Sequence, residues 1–205
     1  RSHQDSDALT MIDMLLDSGD VGMLKMNLVQ PQVVRSAGSY PLINKDAGAQ
    51  YLWAVPRQGQ SMKDAEALLL SQIERIKQGK FDAEIMQAIA LDTEISLKRS
   101  LESNRGRAAI MTEAFLNGVS VESLMQRPAR LRKLTAKEIT RVANAYFKNN
   151  YVVGYREDAE FKFPKISKPQ LKKMQLNPDQ HSDFALQVEA LTPEPVAPEW
   201  IDLKS

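Results

Sequence analysis

The sequence predicts an α+β domain in which a small antiparallel sheet packs against a layer of helices. Strand-like segments at Val33–Tyr40 and Gln50–Val55 flank the turn-forming residues Asn44–Gly48, which indicates a hairpin. Several other segments place an apolar residue at every third or fourth position behind a capping residue, which indicates helices. The composition, 43% hydrophobic and 26% charged over 205 residues, is that of a globular protein.

Two helical segments are predicted before the hairpin. Asp7–Ser18 is expected to be a helix that ends at Gly19, and a shorter helix at Asp20–Asn27 is expected to end before Pro31. The apolar residues of the first helix recur at helical spacing: Leu9, Ile12, Leu15 and Leu16. The predicted strand Val33–Tyr40 follows, with Pro41 after it.

The longest predicted helix, Asp82–Ser103, is expected to be the central scaffold of the domain. At about 100° per residue, its apolar residues share one broad arc: Ile85, Met86, Ile89, Ala90, Leu97 and Leu101. Because Leu91 and Ile95 fall on the far side, we expect packing on two sides. The preceding helix, Ser61–Gln78, begins at the capping pair Ser61 and Asp64 and ends at Gly79.

Three further helices and a third strand are predicted after the long helix. The helices are Gly106–Leu116, Val121–Met125 (ended near Pro128), and a segment from the capping box Thr135–Glu138 to Phe147. The first of them offers four residues for burial: Ala109, Ile110, Ala114 and Phe115. Tyr151–Tyr155 is predicted to be a strand. Since three strands cover little helix surface, another strand is expected just before Arg1. The chain begins without Met and is expected to be an internal fragment.

The composition changes after Glu157, where six of the ten prolines lie between Pro164 and Pro198. We therefore predict two parts, an α+β domain at 1–156 and a Pro-rich linker or wrapping arm at 157–205. Within the second part, Asp183–Leu191 is predicted to be a short helix, and Trp200–Leu203 a strand.

No catalytic, cofactor-binding or metal-binding residue is predicted in this chain. The absence of cysteine excludes disulfides, thiolate zinc sites and cysteine nucleophiles. Neither His3 nor His181 has a second His at the helical spacing of zinc peptidases, so both are interpreted as surface residues. The sequence also has no nucleophile elbow and no glycine-rich phosphate loop with the required spacing.

Two other groups of residues each allow two interpretations. The basic cluster Arg127, Arg130, Arg132 and Lys133 could bind an anion or nucleic acid, but a solvated helix end is favoured because no aromatic residues accompany it. A net charge of +1 does not favour duplex DNA as a partner. The methionines could form an adaptable binding surface or part of the core: Met11, Met14, Met23 and Met26. No apolar run approaches the roughly 18 residues of a membrane span.

Three segments resemble the second, non-catalytic domain of the insulinase-like (pitrilysin) metallopeptidases, a family that includes mitochondrial processing peptidase. They are Asp5–Leu9 with its helix and Gly19, Phe81–Ile85 followed by Ser100–Ala108, and Leu134–Ile139 through Phe147 and a closing strand. The resemblance covers about residues 5 to 156, and the Pro-rich tail resembles the linker between the two halves of fused members. It implies a processing-peptidase-like α+β fold.

The resemblance also implies a function for the parent protein. Members of the family close two halves around a peptide chamber, and the zinc lies in another domain. This chain would then be a part of the chamber wall, with no cofactor of its own, and its partners would be the other domains and a peptide. Such a fragment is expected to self-associate. The resemblance alone favours a periplasmic or other exported bacterial location.

Two alternatives are left open, and one family feature is not assigned to this chain. The chain could be an assembly module of the same fold in a homologue without catalysis, or an unrelated binding module that uses the basic cluster. Related domains carry an Arg ahead of a Tyr that assists the substrate. Arg35 and Tyr40 are five apart and lie in the predicted strand, so that role is not assigned to them.

Overall fold

The computed structural model describes residues 3–43, 47–158, 160, 162–173 and 177–191, and it divides the chain into two units, Arg1–Arg156 and Glu157–Ser205. In the first unit, helices pack against one antiparallel hairpin, so the predicted α+β class is confirmed. Its elements, in chain order, are α1 Ser6–Leu16, a π-helix Lys25–Val29, β1 Ser36–Ile43, β2 Gly48–Val55, α2 Met62–Lys77, α3 Ala83–Leu101, α4 Asn104–Asn117, α5 Val121–Met125, α6 Arg127–Leu131 and α7 Ala136–Tyr146. No helix in the described ranges is long and apolar enough to cross a membrane.

Helix α1 lies at the centre of the first unit. It contacts β1, α3, α6 and α7, and the buried residues of its apolar face include Met11, Ile12, Leu15 and Leu16. The sequence assigned this position to α3, which buries only Met86, Ile89 and Ala90. The expectation that α3 packs on two sides is wrong, because Leu91 and Ile95 are 50% and 39% exposed.

The predicted hairpin is present, and β2 ends at Val55 as predicted, but β1 is displaced toward the C-terminus. Strand β1 begins at Ser36 rather than Val33, and it pairs antiparallel with β2 from Ser36 opposite Val55 to Ile43 opposite Gly48. Pro41, expected after the strand, lies inside it opposite Gln50. Proline lacks the N–H that a second neighbouring strand would need, so it is tolerated in a strand paired on one side only.

The predicted strand Tyr151–Tyr155 is absent, because these residues pair with no strand in the described structure. Tyr155 instead contacts α2, where its hydroxyl donates to the Glu66 carboxylate and the Lys63 Nζ lies 5.0 Å from the centre of its ring. Side-chain contacts with a helix, and not backbone pairing, hold this segment. The further strand expected before Arg1 stays a prediction.

Local capping chemistry determines where most of the helices begin. The Ser61 hydroxyl accepts from the Asp64 N–H before α2, Asp82 accepts from the Glu84 N–H before α3, and Thr135 and Glu138 form the expected capping box before α7. Gly79 has the positive φ of 69° that ends a helix. The short helix predicted at Asp20–Asn27 is instead a π-helix shifted toward Val29.

Helix α5 has the predicted bounds, Val121–Met125, and Pro128 lies just beyond it in the first turn of α6, where the missing N–H needs no partner. One expectation for the region between α3 and α7 is wrong. In α4, only Ala114 is fully buried, whereas Phe115 is 84% exposed. Nothing packs over that side of α4 in the described part of the chain.

The second unit contains one described helix, α8 Asp183–Ala190, for which the Ser182 hydroxyl accepts from the Ala185 N–H. This agrees with the helix expected at Asp183–Leu191. The strand expected at Trp200–Leu203 falls outside the described residues. The interpretation of 157–205 as a linker or wrapping arm stays a prediction.

Candidate functional site

The outward face of the hairpin is a row of partly exposed aromatic and aliphatic side chains. Tyr40 and Tyr51 face each other across the two strands and stack, with ring centres 5.0 Å apart and planes within 9°. Trp53 is 44% exposed on the same face of β2, and Val55 is 38% exposed at its end. We call Tyr40, Leu42, Tyr51, Trp53 and Val55 the aromatic face. Rigid aromatic side chains of this kind can bind apolar groups at a low entropic cost.

Gly38 is what allows Trp53 to lie flat on this face. The two residues are opposite each other in the register, and a Cβ at position 38 would come within 2.7 Å of three atoms of the indole ring. Any other residue at this position would push the ring away from the sheet. The cross-strand pair of Gly38 and Trp53 therefore determines the shape of the aromatic face.

The opposite face of the hairpin is anchored to α1 by a partly buried polar network. The Ser39 hydroxyl donates to Asp13 Oδ1 at 2.7 Å, Gln50 Nε2 donates to the same oxygen at 2.5 Å, and the Ser39 N–H donates to Asp17 Oδ2 at 2.8 Å. Burial raises the pKa of the Asp13 carboxyl, aided by the nearby charge of Asp17, against the lowering effect of the two hydrogen bonds. This network positions the aromatic face on the helical layer.

A second buried carboxylate joins the beginning of α1 to α7. Asp5, whose side chain is 6% exposed, pairs with Arg141 Nη2 at 2.5 Å and accepts from the Tyr146 hydroxyl at 3.1 Å. The Arg141 hydrogen bond lowers the pKa of Asp5, while burial raises the pKa of Tyr146. His3 Nδ1 accepts from the Asp5 N–H at 3.2 Å, which assigns this histidine to a local contact. The arrangement is a structural junction between the two helices.

The predicted basic cluster is largely neutralised by ion pairs. Arg130 Nε lies 2.6 Å from Asp7, Arg127 Nη2 lies 3.4 Å from Glu113, and Arg132 pairs with Glu94. Burial also lowers the pKa of Arg127. Three of the four cations therefore serve contacts between helices, which argues against an open basic surface for nucleic acid.

The remaining sequence candidates are dispersed. His181 pairs with Glu189 at 2.9 Å in the second unit, and no three His, Asp or Glu side chains of the described residues lie close enough together to hold a metal ion. Met11 and Met23 are buried and Met14 packs against the core, whereas Met26 is 49% exposed. This favours the core interpretation for three of the four methionines.

Arg35 and Tyr40 do not lie in one strand as expected. Arg35 precedes β1, and its N–H donates to the Val55 carbonyl at 2.9 Å, while Tyr40 belongs to the aromatic face. Arg35 instead borders a cleft together with Arg57, a residue that the sequence analysis missed. Proline and glycine around Arg57 marked a turn, but no local signal related that turn to Arg35.

Comparison with known proteins relates the fold to proteases. No family model and no curated protein sequence matches the chain. Among solved structures, a protease from Helicobacter pylori matches with a TM-score of 0.63 at 21% identity, over 72% of this chain and 36% of that one. The chain thus spans about a third of the Helicobacter protein.

Two Bordetella structures match equally well. The "inactive peptidase domain of a putative zinc protease" from Bordetella parapertussis has a TM-score of 0.63 at 17% identity. The match covers 72% of this chain and 80% of the Bordetella parapertussis chain. A "putative zinc protease" from Bordetella pertussis Tohama I has a TM-score of 0.63 at 16% identity, and the match covers 75% of this chain and 87% of that protein's chain. The chain therefore has the fold of zinc-protease and inactive peptidase domains, in agreement with its resemblance to the insulinase-like metallopeptidases.

Proposed function

We propose that this chain is a non-catalytic domain of a zinc metallopeptidase and forms part of a wall that contacts the peptide substrate. The aromatic face is the observation that carries the proposal. Tyr40, Tyr51 and Trp53 are each between 44% and 52% exposed, although aromatic rings of this size are normally more deeply buried in a folded domain. An unfolded peptide presents apolar side chains that such a face can bind.

The protease-like fold and the location of the candidate residues support the same proposal. The polar network of Asp13, Ser39 and Gln50 holds the hairpin from behind, so the aromatic face is presented on a rigid support. Zinc would be held by a different domain of the parent protein, as the resemblance implies. The chemistry of hydrolysis would then belong to that domain, and this chain would bind and orient the peptide.

The direct test is the binding of a fluorescein-labelled, unstructured peptide whose two ends are acetylated and amidated. Trp53→Ala should weaken binding about tenfold, the loss expected when a central aromatic anchor worth about 1–2 kcal/mol is removed. Phe115→Ala is the matched control, because Phe115 is 84% exposed on α4 and does not belong to the hairpin. Equal affinity of the two variants would contradict the proposal.

A second candidate function is an assembly module in a protein without peptidase activity. The match to a domain described as an inactive peptidase domain favours this possibility. A photo-crosslinking amino acid at position 51 of the parent protein separates the two. Crosslinks to an added peptide support substrate contact, whereas crosslinks only to another domain or subunit support assembly.

A further inference from the structure

A cleft of about 420 Å³ lies beside the end of β2, and the only charged residues that line it are two arginines. Its lining is Val29, Gln32, Val34, Arg35, Arg57 and Gln58. Among the described residues, neither arginine forms an ion pair, in contrast to Arg127, Arg130, Arg132 and Arg141 of the same unit. Two guanidinium groups in one cleft without a counter-charge favour a bound anion.

The backbone segments that carry the two arginines are fixed relative to each other. Gln60 links them, because its Oε1 accepts from the Arg57 N–H at 2.9 Å and its Nε2 donates to the Val33 carbonyl at 3.1 Å. The Arg35 N–H is fixed in turn on the Val55 carbonyl at 2.9 Å. The backbone of the cleft is therefore preorganised, which lowers the entropic cost of binding.

One wall of the cleft contains an unusual backbone conformation. Gln32 has a φ of 56°, and it is the one non-glycine residue with positive φ in the described part of the chain. A side chain in this conformation is strained, and such strain is concentrated at functional sites. The conformation places an amide side chain in the lining, where it can donate to an oxyanion.

We propose that this cleft binds the C-terminal carboxylate of a peptide, with the last apolar side chain of the peptide against Val29, the partly exposed valine of the lining. The two arginines and the Gln32 amide supply donors for the carboxylate. The exposed part of Val29 favours a peptide over a free inorganic anion, because an inorganic anion gains nothing from an apolar surface. That the ligand is a peptide rests on the function proposed above.

The test compares two versions of one labelled peptide that ends in Val-Leu, one with a free carboxylate and one with an amide. With the intact 205-residue chain, the free acid should bind at least about tenfold more tightly than the amide, as expected for charge-assisted hydrogen bonds to a guanidinium pair. Arg35→Gln and Arg57→Gln should each reduce that ratio several-fold, and the double variant should bring it to one.

The matched control replaces Arg75 and Arg99, two exposed arginines on α2 and α3, with glutamine. It removes the same net charge and should leave the acid-to-amide ratio unchanged. Thermal melts of both double variants should coincide with that of the unsubstituted chain, since all four arginine side chains are exposed. A similar loss of the ratio in the control would mean general electrostatic attraction and would overturn the proposal.

Two further outcomes separate this inference from the proposed function. If both peptides bind equally and binding still depends on Trp53, the carboxylate site is wrong but the aromatic face stands. The second outcome uses competitors of the peptide with the free carboxylate. If inorganic phosphate and a free amino acid displace it equally well, at concentrations at which sodium chloride does not, the cleft is a general anion site and the peptide assignment is overturned.

Discussion

The substitution Ser39→Ala is predicted to loosen the hairpin from α1. Ser39 is 9% exposed, and its hydroxyl donates to Asp13 at 2.7 Å and accepts from Gln50 Nε2 at 2.6 Å. A hydrogen bond to a charged group contributes about 1.5–3 kcal/mol to stability. For a protein of this size, each kcal/mol shifts the melting temperature by about 2–4 °C, so we expect a decrease of about 3–12 °C.

The effect of this substitution should depend on pH in a defined direction. The pKa of Asp13 is already raised above its ordinary value of 3.8, and loss of the Ser39 hydrogen bond raises it further. A raised carboxyl pKa in the folded state opposes folding at neutral pH, and lowering the pH below that pKa removes the effect. The destabilisation by Ser39→Ala should therefore be larger at pH 7 than in mildly acidic buffer.

Urea unfolding followed by circular dichroism measures both effects. Ser36→Ala is the control, because Ser36 lies in the same strand and forms no side-chain hydrogen bond within the described residues. The substitution there should cost little at either pH. If Ser39→Ala lost no more stability than Ser36→Ala, the polar network would not be the anchor of the hairpin.

Three further predictions concern other parts of the first unit. Arg141→Met should lower the urea midpoint at pH 7 more than Arg99→Met does, because only Arg141 pairs with Asp5. The pKa of Asp5 is depressed below 3.8, so the stabilisation by Arg141 is present above pH 3.8 and is lost as the pH falls through the pKa of the folded state. The difference between the two variants should therefore vanish in strong acid. Gln32→Gly should raise the free energy of unfolding by up to about 1 kcal/mol because glycine adopts a positive φ without strain, whereas Gln32→Ala should not, and an equal gain for both would contradict this explanation. The isolated chain should self-associate through the exposed apolar side of α4. The double substitution Met111→Glu with Phe115→Glu should therefore reduce the sedimentation coefficient at high concentration, while the control Leu171→Glu in the second unit should leave it unchanged. If the unsubstituted chain is a monomer, the prediction is refuted.

The features that were predicted correctly depend on short-range chemistry. The caps at Ser61 and Thr135 each involve a side chain and an N–H three residues away, so the sequence contains both partners. The hairpin was found for a similar reason, since its two strands are adjacent in the chain. The N-terminal end of β1 was missed because the residues before Ser36 are as strand-like as those within β1.

The features that were missed depend on residues far apart in the sequence. The sequence identified the helical segment around Phe115, but burial requires a neighbouring element, which nothing in the local pattern specifies. Tyr151–Tyr155 has the composition of a strand, but pairing requires a partner. The cleft at Arg35 and Arg57 was missed because the relation between two loops depends on the hairpin between them.

The contacts of α1 have a consequence for the order of folding during synthesis. Asp7 pairs with Arg130 and Asp5 with Arg141, contacts that span 123 and 136 residues. Helix α1 therefore lacks two of its four neighbours, α6 and α7, until most of the unit has emerged from the ribosome. Since five of its apolar residues are buried in the finished structure, a chaperone that binds nascent apolar segments should contact α1 until α7 has been translated.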